Sequence, residues 1–190
     1  MKLFRIAVAI GMTIAASGAV AQLSTPDSSA FVDAVKKSDG DKATELVTNH
    51  PTVINSRDDA GNTPLLIAIK RNDPTWTGFL LNKGADPNLP GQGGDTPLIS
   101  AARIGFEDAA EWLLGLGAKV DLANRMGETP LIVAVQQRNT QMVKLLLEAG
   151  ANPDRSDSAA GYSARDYAKR DSRARDILAL IQSAKPAAAK

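Results

Sequence analysis

Few residues in this chain have the type and spacing for covalent chemistry. Adjacent carboxylates at Asp58 and Asp59 could serve acid–base catalysis if burial drove their pKa values apart. They stand among polar residues just ahead of an apolar run, which places them on an exposed turn as solvated surface charge. The one histidine, His50, precedes Pro51 where a helix must stop, and a cation near a helix C-terminus is ordinary there. A single histidine and no cysteine leave little room for a metal cluster, a redox pair or a catalytic triad. Gly91-Gln92-Gly93-Gly94 has the glycine density of a phosphate-cradling loop but lacks the Lys-Ser/Thr ending, so it is expected as a flexible finger at a junction. No serine has a histidine partner to activate it. The expectation is therefore a non-enzyme with no catalytic residue, no cofactor and no metal.

Composition is that of a folded globular chain rather than a disordered one. Hydrophobic residues make up 44% and charged residues 23% of the chain, a globular balance. Aromatics are only 4%, so the core must be built from Leu, Ile, Val and Ala. Lys and Arg number 22 against 21 Asp and Glu, which gives no electrostatic argument for nucleic acid.

The first residues, MKLFRIAVAIGMTIAASGAVAQ, have a positive start at Lys2 and Arg5, an apolar stretch from Ile6 to Ala16, and small residues at Ala19 and Ala21. These are the parts of a secretory signal peptide over residues 1–21, with cleavage expected before Gln22. The apolar stretch falls short of the ~20 residues that a membrane-spanning helix needs. Cleavage would remove Lys2 and Arg5 and take the formal net charge from +1 to −1. The short, Ala-rich signal suggests a bacterium. The absence of cysteine excludes lipidation of a mature N-terminus. The expected location is the periplasm, or outside the cell, with no stable membrane anchor.

The elements that follow are organised by repetition. Gly61-Asn62-Thr63-Pro64-Leu65, Gly94-Asp95-Thr96-Pro97-Leu98 and Gly127-Glu128-Thr129-Pro130-Leu131 recur at 33 residues, and a degenerate copy, Gly161-Tyr162-Ser163-Ala164-Arg165, follows after 34. The additional residue is expected in the loop near Ser156 to Ala160. A second landmark keeps the same phase: Leu80-Leu81 to Asn88, Leu113-Leu114 to Asp121, and Leu146-Leu147 to Asp154. Thr before Pro is an N-cap followed by the favoured first helical residue. Leu65, Ala68 and Ile69 form an apolar stripe at helical spacing, with Ala101 and Ala134 equivalent to Ala68. Gly84, Gly117 and Gly150 stop second helices that begin after Asp73-Pro74, Gly105 and Asn139. Trp76 and Trp112 lie in those second helices, so core packing is expected for both.

These motifs resemble the ankyrin-repeat family over about residues 28–184. The resemblance implies an all-α solenoid of helix–turn–helix units joined by short β-turn fingers. Five units are expected, at about 28–59, 60–93, 94–125, 126–159 and 160–184, after a linker at 22–27 and before a frayed tail at 185–190. The terminal units are degenerate because they must cover the apolar ends of the stack. The family's usual His after Thr-Pro-Leu is replaced by Leu66, Ile99 and Ile132, so apolar packing must substitute for its hydrogen bonds. Asn72 and Arg138 stand where the family commonly has Gly between helices.

The resemblance also implies a concave surface made of fingers and first helices, and a partner protein to fill it. Carried over by position, the finger residues are Asp59 and Asn62, Gln92 and Asp95, Arg125, Met126 and Glu128, then Tyr162. The helix residues are Lys70 and Arg71, Arg103 and Ile104, then Gln136 and Gln137. Together they suggest a basic floor beneath acidic fingertips, with Ile104, Met126 and Tyr162 as apolar anchors. The expected function is a monomeric scaffold that recognises another exported protein. An inhibitor of an exported toxic enzyme is the alternative, and a hydrolase with an unrecognised site is a weaker one.

Overall fold

A computed structural model describes residues 26–184. The export signal, most of the expected linker and the tail at 185–190 lie outside the described residues. Ten helices form five consecutive pairs: α1 (Pro26–Lys37) with α2 (Gly40–Asn49), α3 (Pro64–Lys70) with α4 (Pro74–Asn82), α5 (Pro97–Ile104) with α6 (Glu107–Gly115), α7 (Pro130–Gln136) with α8 (Thr140–Glu148), and α9 (Ala164–Arg170) with α10 (Arg175–Ser183). α1 takes in Pro26 and Asp27 from the segment expected as linker, because Pro suits a first helical position and Asp complements the helix dipole.

The starts of the first helices follow from local chemistry. Thr63, Thr96 and Thr129 accept the N–H groups of Leu66, Ile99 and Ile132 at 3.3, 3.1 and 3.3 Å. Each cap contributes about 1 kcal/mol. Ser163 does the same for α9 and completes a capping box with Asp166. Asp73 and Asn139 cap α4 and α8 at 3.0 and 2.9 Å. α6 has no side-chain cap, but Glu107 and Asp108 in its first turn complement the dipole.

Helix ends repeat as well. Ser38, Asn72, Gly105 and Arg138 are all left-handed, with φ of 58, 52, 74 and 54°, so the turn needs positive φ whichever residue occupies it. A side chain costs about 1 kcal/mol or more in that conformation. Asn tolerates it well, and from the same place Arg138 pairs with Asp171 of the following helix pair.

Packing joins the pairs in two rows. The first helices touch in the order α1, α3, α5, α7, α9, and the second helices α4, α6, α8, α10 touch likewise. Ala68, Ala101, Ala134 and Ala168 are buried in the first row, where a larger side chain would hold the helices apart. Leu66, Ile99 and Ile132 are completely buried, so apolar packing does replace the family's histidine. Each such burial contributes roughly 2 kcal/mol. One continuous core runs from Phe31 to Ile181.

A polar ladder reinforces the stack. The Asn55 side chain accepts the Asp86 N–H at 2.9 Å, Asn88 accepts that of Lys119 at 2.8 Å, and Asp121 accepts that of Asn152 at 3.0 Å.

Two local expectations need correction. Trp76 is buried, but Trp112 is 38% exposed. Its indole lies outward across Gly78 of α4, whose missing side chain leaves the ring without cover on that side. The Gly91–Gly94 segment is a hydrogen-bonded turn rather than a loose finger. Gly91 N–H donates to the Asp95 carbonyl at 2.9 Å, and the Gly93 carbonyl accepts the Arg125 N–H at 3.2 Å. Gly94 has φ 86°, and a Cβ there would stand 2.9 Å from the Arg125 nitrogen.

Candidate functional site

The fingers are built on one repeated bond. Asp58, Gly91 and Asn124 donate their N–H to the carbonyls of Asn62, Asp95 and Glu128, four residues on, at 3.0, 2.9 and 3.0 Å. In the last finger Asp157 reaches Tyr162, five residues on, at 3.1 Å, which places the additional residue between them. Adjacent fingers are joined: Gly93 O accepts from Arg125 N at 3.2 Å, and Met126 O from Ser158 N at 2.8 Å. The Arg57 guanidinium joins the first two, donating to Gly61 O at 2.6 Å and Pro90 O at 2.7 Å.

Side chains brace three of the four turns. Asn124 Oδ1 accepts the Met126 and Glu128 N–H groups, each at 3.0 Å. Asp157 Oδ1 accepts those of Ala160 and Gly161 at 2.7 and 2.9 Å, and its other oxygen accepts the Tyr167 hydroxyl at 2.6 Å. Burial pushes the Asp157 carboxyl up, but these hydrogen bonds outweigh it and hold the group below the usual carboxylate range.

Asp58 is the third brace, and it is not the solvated tip expected from sequence. Its side chain is only 10% exposed, lies 3.1 Å from Lys36 Nζ and accepts the Asn62 N–H at 2.8 Å. Burial again acts upward, while the Asn62 N–H and Lys36 together lower its pKa. A carboxylate held ionised in this way is the opposite of a general acid, and its neighbour Asp59 is exposed.

The last turns of α3, α5 and α9 reach back eight residues to their own fingers. Lys70 Nζ donates to Asn62 Oδ1 at 2.7 Å. Arg103 meets Asp95 at 3.1 Å, and the Arg170 guanidinium covers the Tyr162 ring at 4.4 Å. Arg103 also spans to Glu128 at 3.4 Å. Asn124 Nδ2 donates to Asp95 at 2.8 Å and to Glu128 at 2.9 Å, so one buried amide and one guanidinium bind two carboxylates together.

This geometry corrects the picture of a basic floor beneath acidic tips. Arg103 is neutralised by the very acids expected to oppose it. Arg71 turns away to the end of α1, donating to the carbonyls of Val35 and Lys36, each at 3.1 Å, and to Ser38 Oγ at 2.9 Å. Lys70, Asn62, Asp95, Arg103, Glu128 and Tyr162 form the braced bed of the surface. Gln136 is half-buried, while Gln137, Asp59, Gln92 and Arg125 are exposed. Ile104 and Met126 are 43% and 50% exposed, and Tyr162 lies edge-on to Tyr167 with centroids 5.6 Å apart.

Sequence reasoning missed Asn124 and Asp157, which organise the bed. Their signal was a polar residue 33 positions apart at 58, 124 and 157, hidden because glycine occupies 91.

A family model described as ankyrin repeats (3 copies) matches residues 31–124 and, overlapping them, 73–157. No curated protein matches the chain with significance. Those matches take in all three Thr-Pro-Leu helix starts, the left-handed turns and the first three fingers, and the chain belongs to the ankyrin-repeat family.

Proposed function

We propose that this chain is a non-enzymatic scaffold of the bacterial periplasm that binds a partner protein across its finger row and first-helix row. Ankyrin repeats are in general protein–protein interaction scaffolds, which sets the class of activity. One observation carries the assignment of the surface. Of the four large hydrophobic side chains exposed among the described residues, Ile104 and Met126 project from this bed, whose polar groups are otherwise tied to one another. Exposed apolar anchors on a braced, polar support are what a binding surface needs, since little ordering entropy is left to lose.

The contact residues are then Asp59, Gln92, Ile104, Arg125, Met126 and Gln137, with Tyr162 at one end. The bed of Asn62, Lys70, Asp95, Arg103, Glu128 and Gln136 positions them, and Arg71 holds α1 to the stack. Export rests on the signal-like residues 1–21, and the lack of cysteine favours a soluble mature form.

Partner capture from a periplasmic extract tests the reading, comparing the wild type with Ile104→Asp/Met126→Asp. A protein retained by the wild type and lost by the variant supports it. Equal retention by both removes this surface from the assignment. A mature N-terminus at Gln22, found by mass spectrometry, supports export, and an intact Met1 in the purified protein contradicts it.

A further inference from the structure

A second exposed apolar feature lies on the second-helix row, away from the finger surface. Leu81 of α4, Trp112 of α6 and Leu116 just after α6 line an open groove of about 490 Å³. Trp112 is 38% and Leu116 56% exposed. Two glycines, Gly78 and Gly115, line it with them.

Those glycines are not required by the backbone. Neither has a positive φ, and Gly78 lies within α4 and Gly115 in the last turn of α6. A Cβ at Gly115 would meet nothing within 4 Å, and one at Gly78 would meet only the Trp112 ring, at 4.0 Å, an ordinary contact. Alanine fits both places, and glycine in a helix is less stable than alanine. The helices give up stability at two positions, and what both positions produce is an empty groove.

Its charge is one-sided. Glu111 lines the groove, and Asp108 is one helical turn away on the same face. Neither forms an ion pair among the described residues. The indole supplies a flat face suited to an aliphatic chain or a cation. Two copies of this chain meeting here would set Glu111 and Asp108 against their own counterparts, which disfavours self-association.

We propose that this groove is a second docking site, occupied by a segment of a partner protein carrying an aliphatic side chain beside a lysine or arginine. The aliphatic group fills the space above Gly78 and Gly115 against Trp112, and the cation pairs with Glu111.

The test is a titration of the ¹⁵N-labelled full chain, following the indole N–H signal of Trp112, assigned with Trp112→Phe. The probes are an alanine-based helical peptide bearing two leucines four residues apart with adjacent lysines, and its counterpart with glutamates for the lysines. The lysine peptide is expected to shift the Trp112 signal saturably, and the glutamate peptide to bind more weakly by about tenfold or more. Glu111→Lys should reverse that preference. Gly78→Ala/Gly115→Ala should raise the melting temperature and lose the peptide. No saturable shift, equal binding of both peptides, or unchanged binding by the alanine variant overturns the proposal. So does a Trp112 signal that moves with protein concentration alone, which would make a second copy the occupant, or with removal of residues 185–190, which would make it the chain's own tail.

Discussion

Arg165 Nε stands 2.6 Å from Asp154 Oδ1, and this pair ends the polar ladder that joins the repeats. At 55, 88 and 121 the side chain accepts an N–H from the next helix pair. Asp154 holds the next place in that series, and there an arginine side chain from the next helix pair, rather than a backbone N–H, satisfies it. That arginine occupies the position where the three preceding units have leucine, so one substitution both interrupts the apolar repeat and closes the ladder.

Replacing Arg165 with Met should therefore cost little at neutral pH, about 1 kcal/mol or less, because Asp154 is largely exposed. The Arg165 hydrogen bond holds the Asp154 pKa below its ordinary value. A lowered folded-state pKa gives stability that is present above the unfolded carboxylate pKa of about 4 and is lost as pH falls through the folded value. Urea denaturation should show the wild type and the variant converging as the pH falls below the ordinary carboxylate range.

Asp157 is a different case, because it is buried and accepts three hydrogen bonds, two from its own turn and one from Tyr167 of α9. Asp157→Ala strands the Ala160 and Gly161 N–H groups and the Tyr167 hydroxyl, and should cost about 2–4 kcal/mol. Tyr167→Phe removes one bond to a charged acceptor and should cost about 1.5–3 kcal/mol. Its depressed pKa places the loss of this stability at acid pH, below the ordinary carboxylate range. Equal costs for the two variants would contradict the central place of the carboxylate.

The Thr77 and Ser100 hydroxyls are buried without a hydrogen-bond partner. The residues 33 positions from Ser100 on either side are Ile67 and Val133, so the surroundings suit an apolar side chain. Thr77→Val and Ser100→Ala should each stabilise the fold by about 1 kcal/mol, read as a higher denaturation midpoint.

Two glycines with the same backbone should respond differently to alanine. Gly127 and Gly150 have φ of 76 and 87°. A Cβ at Gly150 meets nothing within 4 Å, so only the strain of a left-handed side chain applies, about 1–2 kcal/mol. At Gly127 it would stand 2.6 Å from the Ser158 nitrogen, which donates the bond joining the last two fingers. Gly127→Ala should cost clearly more, and hydrogen exchange should show the Ser158 amide losing protection.

The periodic residues carried the fold. Thr-Pro-Leu marks each of three helix starts because cap, first residue and core contact are all local. The finger and first-helix positions were legible, but the pairing of their charges was not. Arg71 and Arg103 look alike in sequence, yet one holds the end of α1 and the other binds two carboxylates. Which acid or carbonyl an arginine meets depends on the neighbouring unit, and the 33-residue period gives only the unit's own register. The Trp112 groove escaped for the same reason, since a ring on α6 is uncovered by a glycine on α4.

The most direct test of the scaffold is the affinity of the captured partner for the wild type and for Ile104→Asp/Met126→Asp, measured by titration calorimetry alongside thermal melting. Binding through the finger and first-helix surface predicts a loss of about a hundredfold or more, with the melting temperature unchanged. Unchanged affinity in a folded double variant would contradict it.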